Sequence, residues 1–297
     1  MLEINNLYKS YGKLEVLTDL NLKLEENKIY GLFGRNGAGK TTLLNLISSQ
    51  ILKNSGEILL SGEEVFENPK AMEDICLAKE LPISIHERKV KEIFSLAKII
   101  YKNWDEDYKD YLVKEFNLNT KKKLYKLSTG NQTIVGLIIG LASRSKLTMF
   151  DEPTLGLDAA ARDKFYSLLL EDYEKNPRTI IISTHLIDEV ANLFEEIIIL
   201  NDGKIMLKSE VNKLKEKSYY LIGSDNVLLP LIKDKNIVYK EELGSTKIIG
   251  IYDNLTTLDF KYIKDNNIEM NKIPMQKLFI YLTQSIIKED YVHEPTK

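Results

Sequence analysis

A glycine-rich loop between an apolar strand and a helix places the tightest constraint on the fold of this chain. The segment GLFGRNGAGKTTLLNLI contains the pattern G-x-x-x-x-G-K-T at residues 34–41. It follows the apolar run KIYGLFG and precedes leucine and isoleucine at helical spacing, which predicts a strand, a loop and a helix over 41–50. Glycines let successive backbone N–H groups turn inward around an anion, and the helix N-terminus adds its positive dipole end. The pattern therefore predicts a phosphate-binding loop and a nucleotide ligand.

Two side chains of this loop have a specific expected chemistry. Lys40 is expected to reach the β- and γ-phosphates, and the Thr41 hydroxyl is expected to bind Mg²⁺. The glycine spacing differs from the G-x-G-x-x-G of dinucleotide-binding folds, so the loop does not indicate such a fold. The loop residues predicted to contact the nucleotide are Gly34, Arg35, Asn36, Gly37, Ala38, Gly39, Lys40, Thr41 and Thr42.

A second apolar strand ends in two acidic residues. The segment KLTMFDEPTLGLD places Asp151 and Glu152 at the C-terminal end of a strand predicted over 147–150, and ligands bind at that edge of parallel sheets. Because neighbouring residues on a strand point to opposite faces, we expect Asp151 to hold the metal and Glu152 to polarise an attacking water. His185 follows the apolar run TIIIST and is expected to contact the γ-phosphate from the same edge.

Strands and helices alternate along most of the chain, which predicts an α/β fold with a parallel sheet. Residues 82–126 are mostly helical and charged, and a lysine-rich stretch at 208–217 is a candidate linker. The remainder, 218–297, is predicted to be a small separate α/β domain. The other predicted strands lie at 56–60, 179–183, 196–200, 219–222, 237–239 and 248–252, and the other predicted helices at 159–174, 186–194 and 275–287.

Composition narrows the choice of partners and compartment. The chain has 41 Lys and Arg against 44 Asp and Glu and no basic stripe, so nucleic acid is not expected as the main partner. A single cysteine, Cys76, excludes an internal disulfide and favours a reducing cytoplasm. The N-terminus lacks a secretion signal, and the apolar runs are shorter than the ~20 residues that span a bilayer. If the protein acts at a membrane, we expect another chain to carry the spans.

A group of small polar residues precedes the apolar run of the segment KLSTGNQTIVGLIIG, residues 126–140. Such residues are typical of a helix start, because side-chain oxygens satisfy the first unpaired N–H groups. Together with the earlier motifs, this LSTGNQ segment resembles the signature loop, L-S-G-G-Q, of ABC transporter nucleotide-binding subunits. The resemblance covers residues 1–207 in order. It also includes Tyr11, where the family stacks an aromatic ring on adenine, and Gly156-Leu157-Asp158, which matches a loop that contacts the dimer partner.

The resemblance implies a P-loop ABC ATPase core with an antiparallel β-subdomain and a helical signature subdomain at about 82–142. It also implies ATP and Mg²⁺ as cofactors and a head-to-tail pair with a second ABC ATPase subunit, identical or paralogous. In such a pair the helix beginning at Ser128 points its N-terminus at ATP held by the partner. The residues thereby assigned to the partner's nucleotide are Ser128, Thr129, Gly130 and Asn131. Asp158, in the loop that contacts the dimer partner, is also assigned to nucleotide binding.

Two positions depart from the family pattern. Thr129 replaces the first glycine of the signature, and its β-branch restricts the backbone there. The glutamine loop that senses the metal is represented by Glu80, with Lys79 before it and no glutamine nearby. We expect Glu80 to contact the Mg²⁺ shell in place of the glutamine.

Within the family, the chain looks most like bacterial drug- and peptide-export ATPases of the YtrB-like type. That likeness implies a separate integral membrane permease, outward transport of drugs or antimicrobial peptides, and a position at the cytoplasmic face of the cell membrane. Two alternatives remain open: a soluble ABC-type ATPase acting on ribosomes or DNA, and a small-molecule kinase that shares only the phosphate loop. The first would be expected to carry two cassettes or a long coiled-coil insertion, and the second would not need the signature segment.

Overall fold

A computed structural model describes residues 1–185 and 187–284 of the chain. The strands are β1 Leu2–Tyr11, β2 Leu14–Leu24, β3 Ile29–Phe33, β4 Ser55–Leu60, β5 Glu63–Glu64, β6 Ile75–Ala78, β7 Leu147–Asp151, β8 Thr179–Ser183, β9 Glu196–Asn201, β10 Lys204–Glu210, β11 Ser218–Gly223, β12 Ile237–Leu243, β13 Thr246–Tyr252 and β14 Glu269–Lys272. The α-helices are α1 Lys40–Ile47, α2 Pro69–Met72, α3 Val90–Ile100, α4 Glu106–Glu115, α5 Thr129–Ala142, α6 Ala159–Lys175, α7 Ile187–Val190, α8 Val211–Lys217, α9 Asp225–Ile232, α10 Thr257–Asp265 and α11 Met275–Thr283.

These elements form two compact units. The first comprises Met1–His185 and Asn192–Lys208, and the second comprises Leu186–Ala191 and Ser209–Lys297, of which 187–191 and 209–284 are described. The division of the sequence into 1–207, 208–217 and 218–297 stays a prediction. The stretch expected to be a linker contains the end of β10 and all of α8.

The first unit is built on a six-stranded sheet in the order β10-β9-β3-β8-β7-β6. Strands β9, β3, β8, β7 and β6 are paired in parallel, so their carboxyl ends meet at one edge. Strands β3 and β8 are buried along their whole length, as expected of apolar strands in the middle of a parallel sheet. This arrangement brings the residues after β3, β7 and β8 to the same edge.

A second sheet of the first unit is antiparallel around β1, which pairs with β2 and β4, and has the order β2-β1-β4-β5. One hydrophobic core joins this sheet, the six-stranded sheet and the helix between them. Leu43, Leu44 and Ile47 of α1 belong to it, together with residues such as Leu20 of β2 and Met149 of β7. The helix that follows the glycine-rich loop is therefore fixed by burial on both sides.

A helical region, α3 to α5, follows β6 in the first unit. Helix α5 packs against β7 at Gly140, where an added Cβ would lie 2.5 Å from Cε1 of Phe150. A larger residue at this position would push the helix off the sheet. The fold class predicted from the sequence is confirmed: an α/β core with an antiparallel subdomain and a helical subdomain containing the segment LSTGNQ.

The second unit contains one antiparallel sheet in the order β12-β13-β11-β14, with α9 and α10 in the chain order β-α-β-β-α-β. This is the arrangement of the ferredoxin-like fold. Its core includes Tyr219, Leu221, Ile251 and Ile263. The described residues of 218–297 therefore form a small α/β structure, as the sequence predicts.

One local prediction differs from the structure, and another extends beyond the described residues. The helix predicted over 186–194 is wrong in length, because α7 covers only Ile187–Val190. The side chain of Asp188 in α7 accepts a hydrogen bond from the backbone N–H of Gln276 at 2.9 Å, within the second unit. Of the helix predicted over 275–287, Met275–Thr283 is observed and residues 285–287 lie outside the described residues.

Among the residues that the structure describes, no helix combines the length and apolar content needed to cross a membrane.

A buried ionic cluster ties the helical region to the sheet. Asp172 of α6 accepts a hydrogen bond from Arg144, which follows α5, and forms an ion pair with Arg178 at 2.8 Å. Arg144 also pairs with Asp105, the N-cap of α4, at 3.0 Å. The side chain of Asp172 is 1% exposed and that of Arg178 is 6% exposed, so each charge depends on the others. Removing one partner would leave an uncompensated charge in the interior.

We therefore expect Asp172→Asn to destabilise the first unit by about 3–5 kcal/mol, because Arg178 loses its counter-charge without gaining access to water. The measurement is the midpoint of urea unfolding followed by circular dichroism. Asp163→Asn, at an exposed position of the same helix, is the matched control and is expected to shift the free energy of unfolding by less than about 0.5 kcal/mol. Equal midpoints for the two variants would contradict a stabilising role for the cluster.

Candidate active site

The glycine-rich loop leaves the buried strand β3 and enters α1. Gly37 and Gly39 have φ of 84° and 104°, a left-handed conformation that glycine adopts without a steric penalty. At Gly39, which precedes the first residue of α1, an added Cβ would also lie 2.8 Å from Cδ2 of Leu17. Within the described part of the chain, no side chain caps this end of α1. The first N–H groups of the helix are thus left for a ligand or for water.

Lys40 is held inside the loop that it follows. Its side chain is mostly covered, at 8% exposure for the residue, and Nζ donates a hydrogen bond to the carbonyl oxygen of Gly34 at 2.7 Å. Residues 35–37 are exposed, whereas Gly34 and Ala38 are buried. The predicted phosphate-contacting residues therefore form one continuous turn around the start of α1.

Asp151 and Ser183 end two neighbouring strands and touch each other. They are paired in the parallel register of β7 and β8, and the Ser183 hydroxyl donates a hydrogen bond to Oδ1 of Asp151. The backbone N–H of Glu152 donates to the carbonyl oxygen of Ser183 at 3.0 Å. Sequence reasoning missed Ser183, although its place at the end of the run TIIIST marks the same sheet edge. Its hydroxyl fixes the orientation of the carboxylate.

Glu152 lies beyond the strand. Strand β7 ends at Asp151, and Glu152 has φ of 48°, in the left-handed region that is uncommon for residues with a side chain. The expectation that the two carboxylates diverge by strand alternation is therefore wrong for Glu152, because a turn rather than the pleat directs its side chain. Oε2 of Glu152 lies 2.8 Å from Nδ1 of His185, and the His185 side chain is 58% exposed. The structure thus brings these two predicted catalytic residues into contact.

The N-terminus of α5 begins at Ser128, whose Oγ accepts a hydrogen bond from the N–H of Asn131 at 3.4 Å. At Gly130, an added Cβ would lie 2.7 Å from the carbonyl oxygen of Gly156. One turn further along the helix, Thr133 Oγ1 donates to the carbonyl oxygen of Leu155 at 3.0 Å. The start of α5 is consequently attached to the loop after Glu152.

Asp158 and Tyr11 lie at the start of a helix and the end of a strand. The Asp158 carboxylate caps α6 by accepting a hydrogen bond from the N–H of Ala161 at 2.8 Å. Tyr11 ends β1 with 49% of the residue exposed, and Nζ of Lys9 lies 4.7 Å from the centre of its ring. The ring face of Tyr11 already attracts a cation and is open to a flat ligand.

One cavity of about 480 Å³ is lined by several of these residues. Its wall contains Thr41 from α1, Glu80 from the loop after β6, Asp151 and Glu152 from the end of β7, and Thr129 from α5. The lining does not include Tyr11, Lys40, Ser128 or His185. A larger depression of about 650 Å³, lined by residues such as Trp104, Arg144 and Arg178, contains none of the predicted site residues.

Lys79 brings a positive charge to the cavity that sequence reasoning did not use. Its Nζ donates a hydrogen bond to Oδ1 of Asn45 in α1 at 2.6 Å, and its side chain is half-buried. Burial lowers the pKa of the Lys79 ammonium below its ordinary value, and the nearby Asp151 carboxylate opposes that shift. A fixed cation therefore lies near the carboxylate expected to bind a metal.

The oxygen atoms in the cavity suit a hard divalent cation. The Thr41 hydroxyl and the carboxylates of Asp151 and Glu80 are the ligand types that Mg²⁺ takes. In the described residues, no group of three or more His, Cys, Asp or Glu side chains could hold a metal ion by itself. This set fits Mg²⁺ that keeps water molecules and shares its ligands with substrate phosphates.

Comparison with known proteins gives consistent matches. The family model described as ABC transporter matches residues 17–155. The YtrB ABC transporter ATP-binding protein of Bacillus subtilis is 29% identical over 82% of this chain and 84% of its own length. The lantibiotic transport ATP-binding protein SrtF of Streptococcus pyogenes is 31% identical over 71% of this chain and 91% of its own length. The bacitracin transport ATP-binding protein BcrA of Bacillus licheniformis is 27% identical over 93% and 94%.

A solved structure described as the ATP-binding subunit of an ABC transporter shares the fold. It superimposes with a TM-score of 0.65 at 24% identity, over 72% of this chain and 92% of its own. The resemblance inferred from the motifs, including the likeness to YtrB, is confirmed. The match to SrtF, at 31% identity over nearly the whole of that relative, agrees with the family model and with the shared fold. The chain therefore belongs to the ATP-binding proteins of the ABC transporter family and is an ATP hydrolase.

Proposed function

We propose that this protein energises the export of drugs or antimicrobial peptides by a separate membrane permease. The single observation that supports the proposed reaction most strongly is the cavity that contains Thr41, Asp151 and Glu152. It joins the Thr41 hydroxyl at the start of α1 to the carboxylates of Asp151, which ends β7, and Glu152, which follows it. These are the groups that metal-assisted hydrolysis of a triphosphate requires.

Each residue has a proposed role in that reaction. Lys40 and the N–H groups at the start of α1 bind the β- and γ-phosphates, and Tyr11 stacks on adenine. Bound Mg²⁺ would be held by Thr41 and Asp151, with Glu80 at its shell, and would neutralise phosphate charge. Glu152 accepts a proton from the attacking water, and its contact with His185 supports a shared position at the γ-phosphate.

The second half of each site is proposed to come from a partner subunit, identical or paralogous. The start of α5 presents Ser128 and backbone N–H groups, which suit an anion in the way that any helix N-terminus does. Gly130 and Thr133 contact the loop at 155–156, so the donors at the start of α5 and that loop would move together. Closing two subunits on ATP and releasing them after hydrolysis would drive the permease.

The proposed cargo rests on the relatives, because SrtF and BcrA are named for lantibiotic and bacitracin transport. Their names give no direction, so the outward direction rests only on the likeness of the motifs to export ATPases. Because a transported molecule would be bound by the permease, we assign this chain no cargo contacts. Its proposed position, at the inner face of the membrane, rests on the likeness to ABC export ATPases. The alternative, an ABC-type ATPase that acts on ribosomes or DNA, has no observation in its favour.

We expect Glu152→Gln to bind MgATP with nearly unchanged affinity, because the side chain keeps its size. It should hydrolyse ATP about 100-fold more slowly or worse, because the amide cannot accept the proton from water. With hydrolysis blocked, the variant should accumulate as an ATP-bound dimer on a sizing column. Glu174→Gln, at an exposed position of α6, serves as control and should behave like the natural protein. Normal turnover by Glu152→Gln would show that the base has been misassigned.

Transport is tested with inside-out membrane vesicles that contain this protein and the membrane subunit that co-purifies with it. Added ATP should drive bacitracin or a lantibiotic into the vesicles, since their lumen corresponds to the cell exterior. Vesicles carrying Glu152→Gln are the control and should accumulate neither peptide. Loss of preloaded peptide on addition of ATP would reverse the direction, and co-purification of ribosomes without a membrane protein would refute the transport role.

A further inference from the structure

Lys79 and Asp151 occupy matching positions at the ends of neighbouring strands. Ala78, the last residue of β6, is paired with Phe150 of β7 in parallel register. Lys79 and Asp151 are the residues that follow this pair in the sequence. Both line the cavity that contains Thr41. The strand register and the shared cavity wall therefore place the ammonium of Lys79 and the carboxylate of Asp151 on the same side of the site.

The Lys79 side chain is also anchored to the helix that carries Thr41. Its Nζ donates to Oδ1 of Asn45 at 2.6 Å, and Asn45 lies one turn after Thr41 on α1. On the other side, α5 approaches the Lys79 backbone closely: an added Cβ at Gly136 would lie 3.3 Å from its carbonyl oxygen. The ammonium is therefore held to α1 by its hydrogen bond, while the Lys79 backbone lies close to α5.

We propose that Lys79 is a positioning residue that sets the balance between metal and nucleotide binding at this site. Its ammonium supplies a positive charge beside Asp151, which disfavours a bare Mg²⁺ ion and attracts phosphate oxygens. Through Asn45 the same group links α1, which carries Thr41, to the end of β6. The metal then enters together with the nucleotide, whose phosphates supply the additional negative charge. This inference rests on the proposed roles of Thr41 and Asp151 as metal ligands.

The sign of the effect separates this role from a purely structural one. Removing the charge should weaken binding of nucleotide without metal, because attraction to the phosphates is lost. It should also strengthen the contribution of Mg²⁺, because repulsion of the divalent ion is lost. A residue that only supports the fold would change both affinities by the same factor and leave their ratio unaltered.

The test is a titration of the full-length protein with a fluorescent ATP analogue, once with Mg²⁺ and once with EDTA. The measured quantity is the ratio of the dissociation constant without Mg²⁺ to that with Mg²⁺. For Lys79→Met we expect this ratio to rise about tenfold, mainly through weaker binding in EDTA, given the size of charge interactions over a few ångströms. Lys79→Arg retains the charge and should restore a ratio within about twofold of the natural protein.

Lys53→Met is the matched control, because Lys53 is also partly buried and paired, with Glu64 at 2.9 Å, but does not line the cavity. Its ratio should equal that of the natural protein. If Lys79→Met does not fold, Lys79→Gln carries the same prediction, since its amide can still bond Asn45. An unchanged ratio in the folded Lys79 variant overturns the inference about Lys79. If the natural protein binds the nucleotide equally well with Mg²⁺ and with EDTA, the proposed metal site is overturned instead.

Discussion

An α-helix leaves its first N–H groups without partners in the helix, and α1 begins after the glycine-rich loop that leaves a fully buried strand. Gly37 and Gly39 turn the backbone so that the loop wraps around this end of the helix. The hydrophobic residues of α1 belong to the core shared by both sheets of the first unit, so the helix cannot tilt to relieve its unpaired donors. Phosphate oxygens satisfy such donors, which is why the remaining groups of the site are arranged around this point.

A second helix start carries the other half of the proposed chemistry. Helix α5 begins with Ser128 and is attached to the loop after Glu152 through Gly130 and Thr133. Its apolar body is buried against β7, so the position of its N-terminus depends on the strand that ends in Asp151. Thr129, the departure from the family signature, lies near this loop: an added Cβ at Gly156 would be 3.2 Å from its methyl group. The substitution is thus accommodated where the facing residue has no side chain.

The parts of the site that short sequence segments specify could be predicted. The loop at 34–41 and the acidic end of β7 depend on local glycine spacing and an apolar run, and the structure places both at the expected sheet edge. The turn at Glu152 could not be predicted, because the backbone N–H of Glu152 donates hydrogen bonds to Ser183, 31 residues further along the chain. The bond between Lys79 and Asn45 likewise joins residues 34 positions apart. Contacts of this kind leave no periodic pattern in the sequence.

The strands and helices of the second unit could also be predicted only in part from the sequence. Strands β11, β12 and β13 were predictable from apolar runs, whereas β14 has the polar sequence EMNK and is mostly exposed. Helix α9 contains Pro230, which argues against a helix in a sequence read alone, yet the helix forms because Leu228, Leu231 and Ile232 are buried. Backbone pairing with β11 explains β14, and burial of the apolar side chains explains α9.

The central claim, that each ATP is held between the phosphate loop of one subunit and the α5 start of another, is tested by mixing two inactive variants. Lys40→Ala should disable the phosphate loop, and Ser128→Arg should block the donor end of α5. Each variant alone should be inactive, whereas a mixed dimer has one site built from the intact half of each. In an equal mixture, about half of the dimers are mixed and each has one working site of two. If the sites act independently, ATPase activity should therefore return to about a quarter of the natural value. Full activity of Ser128→Arg by itself, or no recovery from a mixture shown to form mixed dimers, would contradict the shared site.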